Sequence, residues 1–517
     1  YASGHEPRNR GSVASQDATR TRLNPQDRDG AQALGKVVAT FGDGNQLRAS
    51  VEVVDTRVET LAYSLRTAAV PNTESTDEMR RQRYSVDQAL TDRFGLNTFS
   101  WSLYAQTSDT NQVVDEFRLA AGPTPAMNRS ATLDYTQDSF GGTLQGRKAL
   151  TPGGRPLLVT FGGAYKHHTF DTLRDRLDLN AATGAVIPVT NLILPTKYFP
   201  KSDVGETGAY VQGEVRFGRL TVLPGVRYDR FTLDADANDP VFIASLSPAA
   251  ADFSDDRVST RLGASVKVSE AITAYAQYAG GFRAPPYSAV NSGFTNLAGG
   301  YTSQPNPNLR AETSDSFEVG ARATAGRVSV GVAVFSNHYD DFIQQESLGV
   351  NPVTRLLEYQ YQNVSKVRIE GVELKGDAQI TRTLRARAAY ARINGNDVSA
   401  STKVPLSTIP PDQATLGLQY GDMRSRWGGD LTLRLVGAQD QANAGTGLYA
   451  PEAYQVLDLS GWFSLGRSVT LRAAVLNAAN QRYFEWMNVR GRSATDVTID
   501  RYRSEEHTSE LQSRQYL

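Results

Sequence analysis

Ala209-Tyr210-Val211-Gln212-Gly213-Glu214-Val215-Arg216-Phe217-Gly218-Arg219-Leu220-Thr221-Val222-Leu223-Pro224-Gly225-Val226-Arg227-Tyr228 reads as two strands around a tight turn. Ala209, Val211, Gly213, Val215 and Phe217 alternate with Tyr210, Gln212, Glu214 and Arg216. Beyond the turn, Leu220, Val222, Pro224, Val226 and Tyr228 alternate with Thr221, Gly225 and Arg227, Leu223 being the exception. Successive side chains of a strand point to opposite faces, so this period collects the apolar set on one face and the polar set on the other. Val328, Val330, Val332 and Val334 repeat it against Ser329, Gly331, Ala333 and Phe335, as do Leu384, Ala386, Ala388 and Tyr390 against Thr383, Arg385, Arg387 and Ala389. Between Gly30 and Ala478 the periodicity yields about 18 strands.

The connections alternate in length. Short ones fall at residues 42–45, 151–154, 217–219, 268–271, 324–327, 380–383, 421–425 and 465–468. Long ones, rich in Asn, Asp, Ser, Pro and Gly, are expected at 59–81, 108–135, 169–204, 234–256, 284–312, 339–356, 394–411 and 439–453. Apolar-faced strands with tight turns at one end and long loops at the other describe an all-β, transmembrane antiparallel β-barrel whose apolar face meets outer-membrane lipid. Closure follows from the solvent, because an open edge in hydrocarbon leaves backbone N–H and C=O groups unpaired. A soluble propeller or solenoid would repeat at a fixed period, and none is seen.

Composition narrows the function. The 517 residues carry 54 Lys+Arg against 55 Asp+Glu, a net charge of −1, which argues against a nucleic-acid partner. With no cysteine there is no disulfide framework, thiolate nucleophile or Cys-ligated metal. GxSxG, HExxH and GxxxxGK[ST] are absent, and Gly42-Asp43-Gly44 reads as a hairpin turn, so the sequence offers nothing for an enzyme reading.

The informative segment is Ala279-Gly280-Gly281-Phe282-Arg283-Ala284-Pro285-Pro286-Tyr287, followed by Asn306-Pro307-Asn308-Leu309-Arg310-Ala311-Glu312-Thr313. The pair resembles the FRAP and NPNL boxes of TonB-dependent outer-membrane receptors for haem and haem proteins, the haemoglobin/transferrin/lactoferrin receptor group. Asn291-Ser292-Gly293-Phe294-Thr295-Asn296, Asn363-Val364-Ser365-Lys366-Val367-Arg368-Ile369-Glu370-Gly371-Val372-Glu373-Leu374, and residues 471–483 with Asn477 and Gln481, extend the likeness to about Tyr502. It implies uptake of haem, or of haem from a host haemoprotein, across the Gram-negative outer membrane. Haem would be transported ligand rather than built-in cofactor. TonB, driven by the inner-membrane proton gradient, would pull on a plug domain and open a path. A ferric-siderophore receptor shares barrel and plug, and a passive porin or adhesin shares the barrel alone; both readings stay open.

The resemblance places ligand contacts at Arg283, Pro285, Tyr287, Tyr301, Asn306, Pro307, Asn308 and Leu309. A plainer reading stands beside it: prolines fix φ and remove a donor, so the boxes also suit the ends of one long outer loop. Receptors of this group commonly place a haem-ligating histidine between the boxes, yet residues 286–305 contain none. Tyr287 and Tyr301 are the good iron ligands there, and each also suits an aromatic on a loop or at the membrane interface. His167, His168 and His338 end outward-running strands and are candidates for haem or a transition metal, or plain interfacial residues.

The resemblance implies about 22 strands, with a plug domain and a TonB-contacting segment upstream. Gly4–Asn9 reads as an outer loop already inside the barrel, so residues 1–502 are expected to be a partial barrel without its plug. Residues 503–517, polar and aperiodic, resemble the translation of a sequencing adaptor and are expected to be a non-native tail.

Overall fold

The computed structural model describes residues 25–515, apart from 43–44, 63–65, 191, 246–249, 292, 297–300, 422–424, 440–446, 467–468, 496–498, 500–502 and 505–507. The first half of the wall is β1 (Gln26–Phe41), β2 (Asn45–Leu61), β3 (Asn72–Arg93), β4 (Leu96–Arg118), β5 (Met127–Leu150) and β6 (Leu157–Asn180). It continues through β7 (Ser202–Phe217), β8 (Leu220–Ala235), β9 (Phe253–Lys267) and β10 (Ile272–Arg283). The short β11 (Phe294–Asn296) and β12 (Tyr301–Gln304) precede β13 (Glu312–Ala325), β14 (Val328–Val350), β15 (Leu357–Gln379) and β16 (Leu384–Asp397). Then come β17 (Val404–Pro405), β18 (Gln413–Tyr420), β19 (Trp427–Val436), β20 (Tyr454–Ser464), β21 (Val469–Leu476), β22 (Tyr483–Phe484), β23 (Arg503–Ser504) and β24 (Thr508–Gln515). Three short helices, α1 (Pro240–Ala244), α2 (Tyr287–Asn291) and α3 (Trp486–Val489), lie in the outer loops.

One sheet holds 22 of these strands. Setting aside β11, β12 and β17 in the loops, and β24, leaves the eighteen wall strands that the periodicity predicts, each antiparallel to its neighbours. β21 pairs in turn with β24, inside the segment that the sequence sets apart. Thr508–Gln515 has Leu511 as its single apolar residue and joins by backbone pairing, without the alternation of the other strands.

The alternation resolves as expected. Val328, Val330, Val332 and Val334 face outward and are 38–52% exposed, as befits side chains whose solvent is lipid. Leu144, Phe161, Val211, Val226, Val258, Leu262, Val319, Leu416 and Leu459 share that surface. Near the tight-turn end Tyr420 and Trp427 pack with ring centroids 4.8 Å apart, the amphipathic pairing expected of an interfacial girdle.

Two sequence expectations need correction. The loops placed at 59–81, 108–135 and 339–356 are largely strand, and the one placed at 169–204 is strand as far as Asn180: the actual connections are residues 62–71, 119–126, 181–201 and 351–356. Above the bilayer both faces of a strand are wet and lipid no longer enforces alternation, so polar hairpin arms read as loop. A tight turn between β3 and β4 also escaped the reading. Phe94 (φ 54°) and Gly95 (φ 71°) occupy its left-handed positions, and an aromatic at the first is not a turn signal.

The wall is uneven in height. β5 and β6 run 24 residues, against 8 in β18 and β21. About 9–11 tilted residues span the hydrocarbon, so the tall strands carry their upper halves well outside it.

Candidate functional site

The outer loops between β6 and β13 fold into an apolar core against the inner wall. Phe170, Phe199, Val204, Leu233, Ala289, Val290 and Leu309 form it, with Tyr135, Tyr287, Phe231 and Tyr361 packed around it. The two boxes supply its centre. Pro285 is fully buried and leads into α2, where the Pro286 carbonyl accepts from the Ala289 N–H at 2.8 Å. Val290 and Leu309 are almost entirely enclosed, at 0% and 3% exposure. Tyr287 stacks on Phe170 at 4.0 Å and meets Phe199 edge-on at 5.0 Å. Its hydroxyl lies 2.9 Å from that of Tyr135 on β5. Burial, with the Tyr135 contact, pushes the Tyr287 phenol well above the ordinary tyrosine range. That environment favours the neutral phenol over the tyrosinate that ferric haem would need.

The second box is tied to the β14–β15 hairpin. Asn306 donates from Nδ2 to the Tyr361 carbonyl at 2.7 Å and accepts from the Asn308 N–H at 3.0 Å, an Asx turn that leaves Pro307 and Asn308 exposed. Gln360 Nε2 donates to the Pro305 carbonyl at 2.9 Å. Asn363, the first residue of the Asn363–Leu374 motif, clamps the end of the box. Its Oδ1 accepts from the Arg310 N–H, and its Nδ2 donates to the carbonyls of Arg310 and Asp341 at 2.9 and 2.7 Å. Arg310 also pairs with Asp341. Pro285, Tyr287 and Leu309 are thus packed into the loop, and Asn306 is hydrogen-bonded to β15.

Arg283 keeps most of its side chain open while pairing with the buried Glu312 at 3.1 Å, and Glu312 accepts from the Ile343 N–H at 2.8 Å. Beneath it a recess of about 440 Å³ is lined by Lys166, Glu206, Arg227, Asp229, Phe231 and Arg283. Tyr301 sits apart, on β12, whose register Tyr301↔Leu357 runs parallel to β15; its ring meets Tyr359 edge-on at 6.3 Å.

The three histidines lie within β6 and β14 rather than at their ends, because the polar outer arms continue as strand to Asn180 and Val350, and they divide by face. His167 shares the outward face of Tyr165 and packs on Phe140 at 4.9 Å; His338 lies near the outward Phe317 at 6.3 Å. His167 Nε2 also lies 3.3 Å from Asp203 Oδ1 on β7. His168 faces inward, 2.8 Å from Ser139 Oγ through Nδ1 and stacked on Phe170 at 5.7 Å. Among the described residues no group of three or more His, Asp or Glu is arranged to hold a metal ion.

Sequence reasoning missed a polar lock under the loops. Lys197 Nζ is buried between Asp171 Oδ1 and Asp239 Oδ2, both at 2.7 Å. Asp239 also accepts from the N–H groups of Val241 and Phe242, capping α1. Burial opposes charge on each, yet the two carboxylates hold the Lys197 ammonium above its ordinary range. Lys197 and the N–H groups of Phe242 and Lys201 hold Asp239 below the usual carboxylate range. The N-cap pattern Asp239-Pro240 was readable; its lysine partner, 42 residues away, was not. Asn291 makes a reciprocal pair with the Ala251 backbone at 2.8 and 2.9 Å, and Asn477 a similar one with Gln481, both at 2.9 Å.

Residues 7–478 match the family model described as TonB dependent receptor-like, beta-barrel. The chain belongs to that family. Barrels of TonB-dependent receptors sit in the Gram-negative outer membrane and serve transport rather than catalysis. Over 308 residues the receptor is 25% identical to "Hemoglobin-haptoglobin utilization protein B" of Neisseria meningitidis serogroup C, covering 53% of this chain and 38% of that relative. It therefore spans well under half of that curated relative's length. Among solved structures it is similar to the "Copper transporter OprC" (TM-score 0.68, 16% identity, 97% of this chain and 72% of that one). It also resembles the haemophore receptor HasR of Serratia marcescens, solved as a double mutant with its haemophore HasA and haem (TM-score 0.64, 17% identity, 91% and 70%). At such identities the likeness to these structures shows the fold alone.

Proposed function

We propose that this receptor takes up haem, free or from a host haemoprotein, in a TonB-dependent step. One observation carries the reading. The segments that resemble the FRAP and NPNL boxes fold into a single body at the outer mouth, clamped to β15 by Asn363, in a chain whose sequence relative is named for haemoglobin–haptoglobin use. A copper transporter and a haemophore receptor share the barrel, so the fold does not choose the cargo; the sequence likeness favours haem. In this proposal the exposed Arg283, Pro307 and Asn308 meet the ligand, while Pro285, Tyr287, Asn306 and Leu309 hold the surface that presents them. The barrel supplies binding, and a plug domain coupled to TonB supplies the opening.

The test is growth of iron-starved cells producing the receptor, with haemoglobin as iron source, in TonB-positive and TonB-negative backgrounds. Growth only with TonB is expected. Growth on ferric siderophores but not on haem or haemoglobin would overturn the cargo assignment.

A further inference from the structure

Across β13 to β16, neighbouring rows of the ladder face outward. Val319, Val334, Val372 and Arg392 make one row, and Phe317, Ser336, Glu370 and Asn394 make the row above it. A groove of about 410 Å³ runs over both. Its floor on β13 and β14 is apolar and its β16 end is polar, a profile that suits the level at which hydrocarbon gives way to headgroups.

A second cavity meets the first at Arg392. The β16–β18 ladder stops at Ala391↔Gln413, because Pro410 and Pro411 have no N–H to carry it further. Above that point the strands part around a notch of about 260 Å³, lined by Arg392, Gly395, Ile409, Pro410, Asp412 and Gln439. Arg392 stands between groove and notch with its side chain 52% exposed. Asp412 Oδ2 lies 3.8 Å from its Nη1, beyond hydrogen-bond reach, and accepts instead from the Tyr390 hydroxyl at 3.0 Å. The carboxylate in the row above, Glu370, is held by Arg368 at 2.7 Å. A guanidinium has five N–H donors, so Arg392 retains donors for a further acceptor.

We infer that groove and notch together bind one phosphorylated, acylated lipid of the outer leaflet. An acyl chain lies along Val319, Val334 and Val372, the phosphate meets Arg392 and Asn394, and the rest of the headgroup enters the notch. Position decides the occupant. The floor of the groove belongs to the face that hydrocarbon covers, so a molecule that fills it and ends at Arg392 carries both a chain and an acceptor group. Guanidinium forks match phosphate oxygens bidentately, whereas a soluble anion gains nothing from a valine floor. The site depends on the barrel's place in the outer membrane and is independent of the cargo.

The probes are diphosphoryl lipid A and a synthetic phosphate-free analogue with the same chains, titrated into the detergent-solubilised receptor and read as bound adducts by native mass spectrometry. The phosphorylated lipid is expected to bind about tenfold more tightly than the analogue. Arg392→Gln should reduce that gap to about twofold by weakening the phosphorylated lipid only, and Val372→Ser, in the floor of the groove, should weaken both lipids alike. Arg80→Gln, an exposed outward-facing residue of β3 that lines neither cavity, should change nothing. Unchanged heat-modifiable mobility on gels controls for barrel folding, and the comparison of the two lipids on the wild type needs no variant. Equal binding of the two lipids to the wild type overturns the site. Equal losses in Arg392→Gln and Arg80→Gln would do the same, since they mark diffuse surface charge. Displacement of the phosphorylated lipid by millimolar inorganic phosphate would reassign Arg392 to a soluble anion and overturn the lipid assignment.

Discussion

The hydroxyls of Tyr135 and Tyr287 lie 2.9 Å apart, joining a wall strand to an outer-loop helix across 152 residues of sequence. The bond ties the first box to the barrel wall. Tyr287→Phe removes one hydrogen bond, worth about 1 kcal/mol, and keeps the stack on Phe170. Tyr287→Ala opens a cavity and costs about 3 kcal/mol. Hydrogen exchange at Ala289 and Val290 should rise slightly in the first variant and strongly in the second. Haem titrated into Tyr287→Phe should give an unchanged Soret shift; its loss would show that the phenol ligates iron after all.

Acid should release the loop that Lys197 and Asp239 hold. The folded-state pKa of Asp239 is depressed, so its contribution is complete above the unfolded value near 4 and falls away as pH drops through the folded one. Lys197 is raised, so its contribution is complete below an unfolded value near 10.4 and declines only in strong alkali. Proteinase K cleavage within residues 181–201 should accelerate below about pH 4 and stay level between pH 5 and 9.

Lys197→Ala leaves two carboxylates facing each other without their cation. Breaking a buried pair in this way costs about 3–5 kcal/mol. The same protease assay should show cleavage at neutral pH, and Asp239→Asn, which retains hydrogen bonding, should show less. Equal resistance in all three proteins would remove the lock from the description of the loop.

Asn363→Ala strips partners from the Arg310 N–H and from the Arg310 and Asp341 carbonyls. The Arg310 groups are open to water, so each lost bond costs about 0.5–1.5 kcal/mol. Exchange protection should fall locally around Leu309 and Arg310, while the barrel's heat-modifiable mobility stays as it was.

Charge on the two faces of β14 should have opposite outcomes. Val332→Arg points into hydrocarbon and costs about 2–4 kcal/mol, enough to lower outer-membrane assembly. Ala333→Arg turns to the inner face, where its ladder partner on β15 is Glu373, and should assemble near wild-type levels. Equal yields would contradict the assignment of faces.

Most of the wall was legible because lipid writes a period of two into every crossing, as in Val328–Val334. Legibility stopped where that solvent stops: the upper arms of β3 to β6 are wet on both faces and their sequence carries no face signal. The boxes were visible as words, but their grammar lies elsewhere in the chain. Asn363, Tyr135 and Lys197 act on residues dozens of positions away, and periodicity has no means of pairing them. The histidines show the same limit, since one register step separates His167 on the lipid side from His168 on the inner side.

The inequality of the strands gives the rim a slope. At roughly 3.3 Å per residue, β5 and β6 have about 50 Å more chain than β18 and β21. A globular visitor therefore meets an uneven rim, tall at β5 and β6 and again at β14 and β15, and its angle of approach is set by architecture before any side chain is engaged.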